Sequence, residues 1–171
     1  MMSNLVIDSI TIPTRSLLEY DQQYQEMRAD DFRRVADGSG VLRTLGWAKL
    51  RTTINAKGWV PLGLAAFRGG QYLIKCAAPH AVDSASNVIT LPAARRSDTG
   101  FEPYALAHVD GDLVETTISD ETGDVFTLAT ISGATGYRLQ YYPEFTAVIT
   151  DARSKGDSGI NYTWSLVAEQ V

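Results

Sequence analysis

The chain has 171 residues, 44% of them hydrophobic, with 15 basic and 20 acidic side chains and a net charge of −5. That length and apolar content suit one domain, or one domain with a small insertion, and the acid excess excludes a nucleic-acid binder by overall composition. A single cysteine, Cys76, excludes an internal disulfide framework, and no apolar run approaches the roughly 20 residues that span a bilayer.

The first strand is expected over Leu5–Ile12, stopped by Pro13. No basic region followed by an apolar run precedes it, so synthesis in a cytoplasm without a secretory signal is expected. Residues 16–28 fit either a helical face or an extended edge; with no clear N-cap, strand or irregular structure is favoured. Asp37-Gly38-Ser39-Gly40 is a turn signal between Phe32–Ala36 and Val41–Leu45, so a β-hairpin is expected there. Trp47–Ile54 alternates, with Ala48, Leu50, Thr52 and Ile54 on one face and Trp47, Lys49, Arg51 and Thr53 on the other. Leu62–Phe67 is the best place for a short helix. Gln71–Ala78 reads as a buried strand stopped by Pro79, with Cys76 a buried small apolar residue.

Pro79, Pro92 and Pro103 punctuate the next stretch and mark a module boundary. Tyr104–Val109 and Asp112–Ile118 flank Asp110-Gly111, good chemistry for a type I′ hairpin turn. Val125–Ile131 and Gly136–Tyr142 are further strands. Phe145–Thr150 and Tyr162–Val167 are expected to form a final hairpin around a mobile loop, Asp151–Ile160. In the last strand Tyr162, Trp164, Leu166 and Ala168 share a face, so this segment should be half-buried and tied to strands made much earlier. Short, regularly spaced strands point to a mainly β fold, sandwich or barrel-like.

Charge is unevenly placed. Residues 43–96 hold eight basic side chains against Asp83, and residues 97–137 hold eight acids and no lysine or arginine. Two modules or two faces of opposite sign are implied: either two solvated surfaces of one protein, or, in an assembly of copies, part of residues 43–96 meeting part of residues 97–137 of a neighbouring subunit or of an adjacent ring.

Motifs for catalysis are missing. There is no Gly-x-Ser-x-Gly elbow, no phosphate-binding loop and no dinucleotide fingerprint. Cys76, His80 and His108 do not have zinc spacing. The acids Asp110, Asp112, Asp120, Glu121 and Asp124 lack the pattern of a calcium loop. No enzyme, metal or cofactor is expected. The remaining candidate is the stripe Trp47, Lys49, Arg51, extended by Lys57 and Trp59. An aromatic beside cations suits stacking on an oligonucleotide or glycan. It equally suits an oligomer interface, or basic stems that cover a tryptophan and snorkel to water.

The stretches WAKLRTTINAKGWVPLGL (47–64), YLIKCAAP (72–79), ITIPTRSLLEYD (10–21) and FTAVITD…YTWSLVAEQV (145–171) resemble tail proteins of long-tailed bacteriophages. The likeness is nearest to distal tail proteins and relatives built on the tail-tube fold. The resemblance implies a tail-tube-like β-sandwich or split barrel with one short helix, formed by 1–78 plus 144–171. It leaves 79–143 as an inserted small β module, immunoglobulin-like or barrel. It further implies a structural virion protein made in the host cytoplasm and assembled as a ring, usually hexameric, at the tail tip. Tail tube, hub and tape-measure proteins would be its partners, DNA would pass through the lumen, and the insertion could meet fibres. The other reading is a free module that binds an oligonucleotide or glycan through the Trp/Lys/Arg face.

Overall fold

The computed structural model describes residues 5–67, 69–157 and 161–171. The protein is mainly β with almost no helix, and its sheets are open rather than closed. Among the described residues no helix is long and apolar enough to cross a membrane. The chain divides into two compact units: Met1–Thr11 with Leu73–Phe145, and Ile12–Tyr72 with Thr146–Val171.

In the first unit, β1 (Val6–Ile7) and β2 (Ile10–Thr11) form a minimal hairpin, with Ile7 opposite Ile10. Alternation had suggested one strand here. Asp8 reverses it by adopting a φ of 58°, a left-handed conformation that aspartate tolerates better than most residues. The end of β5 (Gln71–Lys75) pairs with β1, Ile74 opposite Ile7. The strand stops at Lys75 rather than Ala78, because the Cys76 N–H donates instead to the Pro143 carbonyl at 2.9 Å. Cys76 itself is buried and in no disulfide.

Seven further strands complete this unit: β6 (His80–Ser84), β7 (Val88–Thr90), β8 (Tyr104–Val109), β9 (Asp112–Thr116), β10 (Ile118–Thr122), β11 (Val125–Leu128) and β12 (Ala134–Tyr141). They make a four-stranded sheet, β6-β12-β8-β9, and a three-stranded sheet, β10-β11-β7. Ile89, Phe126 and Leu128 from the smaller sheet meet Ala105, Ala107, Tyr137 and Leu139 from the larger in one core. The β8–β9 hairpin turns on Asp110 (φ 51°) and Gly111 (φ 90°), both left-handed as a type I′ turn requires. The single strand expected over Asp112–Ile118 is broken at Thr117. Beyond it the chain leaves the larger sheet and enters the smaller one as β10.

The second unit is built on four antiparallel strands: β3 (Glu19–Arg34), β4 (Gly40–Gly58), β13 (Glu144–Asp157, from Thr146 onward) and β14 (Asn161–Gln170), in the order β13-β14-β4-β3. Trp164 stands opposite Ala56, and Leu166 opposite Ile54, so the late strand does pair with an early one. Thr52, Ile54, Ala56, Trp164, Leu166 and Ala168 are buried, which identifies the inner face of this sheet. Leu64 and Phe67 are buried in the same unit. They lie in a four-residue 3-10 turn, Leu64–Phe67, where a short helix was expected; Gly63 and the following glycines leave too few helix formers to propagate one.

Two further differences come from register. Val41–Leu45 and Trp47–Ile54 are one continuous strand, β4. The expected loop Asp151–Ile160 is largely strand, since Asp151 to Asp157 pair in step with Val167 to Asn161. Residues 158–160 lie outside the described residues.

Candidate interaction surface

The β3–β4 hairpin outruns its sheet. β14 pairs with β4 only from Arg51 to Gly58. From Gly40 to Lys49 the ladder partner of β4 among the described residues is β3 alone. The result is a two-stranded ribbon closed by a turn in which the Gly38 N–H donates to the Val35 carbonyl at 2.8 Å and Gly38 adopts a φ of 85°.

The alternation of β4 carries the inner face out along this ribbon. Ala56, Ile54 and Thr52 are buried, Leu50 is half-buried, and Ala48 is exposed. Farther out Leu42 is 60% exposed, and Phe32, its cross-strand partner, is also 60% exposed. Val35 and Val41 are also exposed at the tip, Val41 on the opposite face of β4. A face that is core at one end is therefore uncovered at the other. Isolated two-stranded ribbons are marginal in water, and contiguous exposed apolar groups mark interaction surfaces.

The five residues singled out above fall as follows. Lys49, Arg51 and Lys57 project from the outer face of β4, opposite to the buried set. Lys49 Nζ donates to the Val171 carbonyl at 2.7 Å, and Arg51 Nε lies 3.6 Å from Glu169 Oε1. Both cations thus bind the segment around β14. Trp59 is just beyond β4 and 57% exposed, held by a backbone N–H bond to the Arg15 carbonyl at 2.7 Å. Trp47 belongs to β4, but its side chain lies outside the described residues. Along β4, Lys57 lies six residues from Arg51 and eight from Lys49.

Lys57 instead lines an open groove of about 770 Å³ across the outer face of the second unit's sheet. Register builds it. One row reads Glu19, Lys57, Thr163, Lys155 across β3, β4, β14 and β13; the next reads Asp21, Asn55, Ser165, Arg153. Glu19 and Asp21 stand on β3, Arg153 and Lys155 on β13, and Lys57, Asn55, Thr163 and Ser165 between them. Arg153 also holds Asp151 at 2.9 Å. Sequence reading found Lys57 but missed Arg153 and Lys155, whose proximity depends on the pairing of β13 with β14.

Much of the charge asymmetry is spent inside the first unit. Arg96 is 2% exposed, donates from Nη1 to the Cys76 carbonyl at 2.9 Å and from Nε to Asp98 at 3.0 Å, and lies over the Phe101 ring. Its guanidinium holds the Asp98 carboxyl below the usual range. Lys75 reaches Glu144 at 3.4 Å, and Arg95 pairs with Asp124. These members of the basic stretch meet acids of their own chain. Arg68 lies outside the described residues.

On the larger sheet of this unit, Arg138 clamps Asp83 with two bonds, 2.7 and 2.9 Å, and His108 Nε2 stands 3.2 Å from the same carboxylate. Bonding to Arg138, and secondarily to His108, lowers the Asp83 pKa to about 2 against the burial that opposes it. This is a cross-strand ion-pair cluster, with no nucleophile in it. Comparison with protein-family models, with curated proteins and with solved structures finds no match for this chain.

Proposed function

We propose that this chain is a structural protein of a long-tailed bacteriophage virion, with no catalytic role. In this reading it is one subunit of a ring, hexameric as in the resembling tail proteins, at the distal tail. The ring links the tail tube to the hub, contacts the tape-measure protein and surrounds the DNA channel. The protein is made in the host cytoplasm and ends in the virion. The observation that supports the reading is the ribbon of β3 and β4, whose inner face leaves Phe32 and Leu42 uncovered. A neighbouring subunit that covers this face completes a core the monomer leaves open, and each large apolar side chain so buried contributes about 1.5–3 kcal/mol.

Negative-stain imaging of the purified protein, over a range of concentrations, tests the assignment. Rings with a central channel support it. Featureless monomers, alone and with a tail-tube preparation, overturn it.

A second reading is favoured by the groove that holds Lys57, Arg153 and Lys155. A free binding module would be monomeric and would bind an oligonucleotide or a glycan there, with affinity lost on Lys57→Ala.

A further inference from the structure

β3 is the last strand of the second unit's sheet. Among the described residues no strand lies beyond it, so 16 residues of edge are offered to another chain. Natural edges of this length are usually interrupted by proline or kept short. β3 contains no proline, and its own alternation is unbroken: the register shift between Arg28 and Asp30 takes up extra residues on β4, not on β3. What the edge does carry is an ordered set of charges. Glu19, Asp21 and Glu26 occupy its first half; Arg28, Asp30, Asp31, Arg33 and Arg34 lie in its second, which keeps a net positive charge. A strand charged in this way repels a parallel copy of itself and matches an antiparallel one.

We propose that β3 pairs antiparallel with β3 of a second copy of this chain, about a two-fold axis through Met27. Directly opposite residues of an antiparallel pair share a face. That rule admits only registers centred on a residue, and charge selects among them. With the axis at Met27, Glu26 faces Arg28 of the second copy and Asp21 faces Arg33, and the two-fold symmetry makes each pair twice. Tyr20 faces Arg34, Gln22 faces Phe32, Tyr24 faces Asp30, and no like charges stand opposite. With the axis moved to Glu26, two glutamates meet on it and Asp21 faces Asp31. With the axis at Arg28, two arginines meet on it and Glu26 faces Asp30.

Within one chain Glu26 and Arg28 already pair, two residues apart on one face of β3. On association they exchange partners, so no charge loses its counterion, and the new backbone ladder supplies the net gain. The edge is distinct from the apolar face discussed above, and the proposal does not depend on the tail assignment.

A Met27→Cys variant provides the test. Opposed residues in antiparallel strands have Cα atoms about 4.5–5.5 Å apart, within disulfide range. Mild oxidation is expected to give a covalent dimer. The buried Cys76 of the unmodified protein, and a Gln23→Cys variant whose thiols would sit about 27 Å apart at 3.4 Å per residue, are expected to give none. In light scattering, Glu26→Arg or Arg28→Glu alone puts two like-charged pairs across the axis and is expected to weaken the dimer about tenfold. The double exchange Glu26→Arg with Arg28→Glu restores the pattern and is expected to restore the dimer. The exchange variant also separates a pairing defect from a folding defect in the single variants. A protein that forms no Met27→Cys disulfide, or whose self-association ignores the charge reversals, overturns the proposal. Rings without the disulfide overturn it and leave the tail reading standing; disulfide-linked dimers without rings do the opposite.

Discussion

The indole N–H of Trp164 donates to the backbone carbonyl of Ser16 at 2.9 Å. One bond thus anchors β14 to the 3-10 turn Thr14–Ser16 that precedes β3. Both partners are buried: Ser16 also donates from its hydroxyl to the Val60 carbonyl at 3.0 Å. Trp164→Phe keeps much of the apolar packing but leaves the Ser16 carbonyl without this donor, a loss of about 1–3 kcal/mol. Trp164→Ala adds a cavity and is expected to cost about 3–5 kcal/mol. Urea unfolding of the two variants against wild type measures both.

The same turn crowds Gly58. A Cβ built there would stand 2.2 Å from the Arg15 carbonyl oxygen and 2.5 Å from Ser16 Cα. Neither is a flexible side-chain end, so the backbone itself must move. Gly58→Ala is expected to destabilise the protein by about 1–3 kcal/mol. Gly63→Ala, where a Cβ meets nothing within 4 Å, is the matched control and should fall within about 0.5 kcal/mol of wild type. Thermal melts of the pair give the comparison.

The ribbon tip predicts a split between folding and assembly. Phe32→Ser and Leu42→Ser alter side chains that are exposed in the single subunit, so the melting transition of the dispersed protein should move by no more than about 0.5 kcal/mol equivalent. Ring formation should fall by tenfold or more in concentration dependence, as an apolar anchor is lost from the interface. Sedimentation velocity across a dilution series reads both states. Unchanged assembly in the double variant would remove the main support for the ring.

Asp83 gives an acid-sensitive contribution. Its carboxyl is lowered from 3.8 to about 2 in the folded protein, chiefly by the Arg138 bond. A depressed carboxyl stabilises the fold above its unfolded pKa and loses that effect as pH falls through the folded value. The difference in melting temperature between wild type and Asp83→Asn should therefore be full at neutral pH, shrink from about pH 4 downward, and vanish near pH 2. The Asp83 side chain is half exposed, so the difference should be small and should shrink further with added salt.

Alternation and turn chemistry made much of this fold legible. The inner face of β14 follows from Trp164, Leu166 and Ala168, and Asp110-Gly111 specifies its turn without help from the rest of the chain. Errors arose where tertiary pairing overrode local signals. Gly46 looked like a gap between two strands; it lies in the register shift of β4 against β3, and the pairing resumes at Thr44 on its far side. Ser154-Lys155-Gly156 looked like loop because it has no apolar face, but pairing with β14 on one side of a sheet asks only for tolerance of extended backbone. Thr117 offers no local sign that the chain changes sheets. Arg96 stood out in the sequence only as one of eight cations in residues 43–96. Its burial depends on the distant Cys76 carbonyl meeting the local segment that carries Asp98 and Phe101. The groove was invisible for the same reason: Lys57, Arg153 and Lys155 are neighbours only through two ladders.

Each unit draws on separated stretches of chain, and β5 and β13 both run through the boundary between them. The order of synthesis then has a cost. β3 and β4 leave the ribosome long before β14, so the edge of β4 that β14 pairs waits open until Asn161–Gln170 has been made. A nascent chain that stalls after residue 145 would hold every segment of the first unit while Ile54 and Thr52 still lacked their β14 partners, Leu166 and Ala168. Such a species would be a target for chaperones or for aggregation through an open sheet edge.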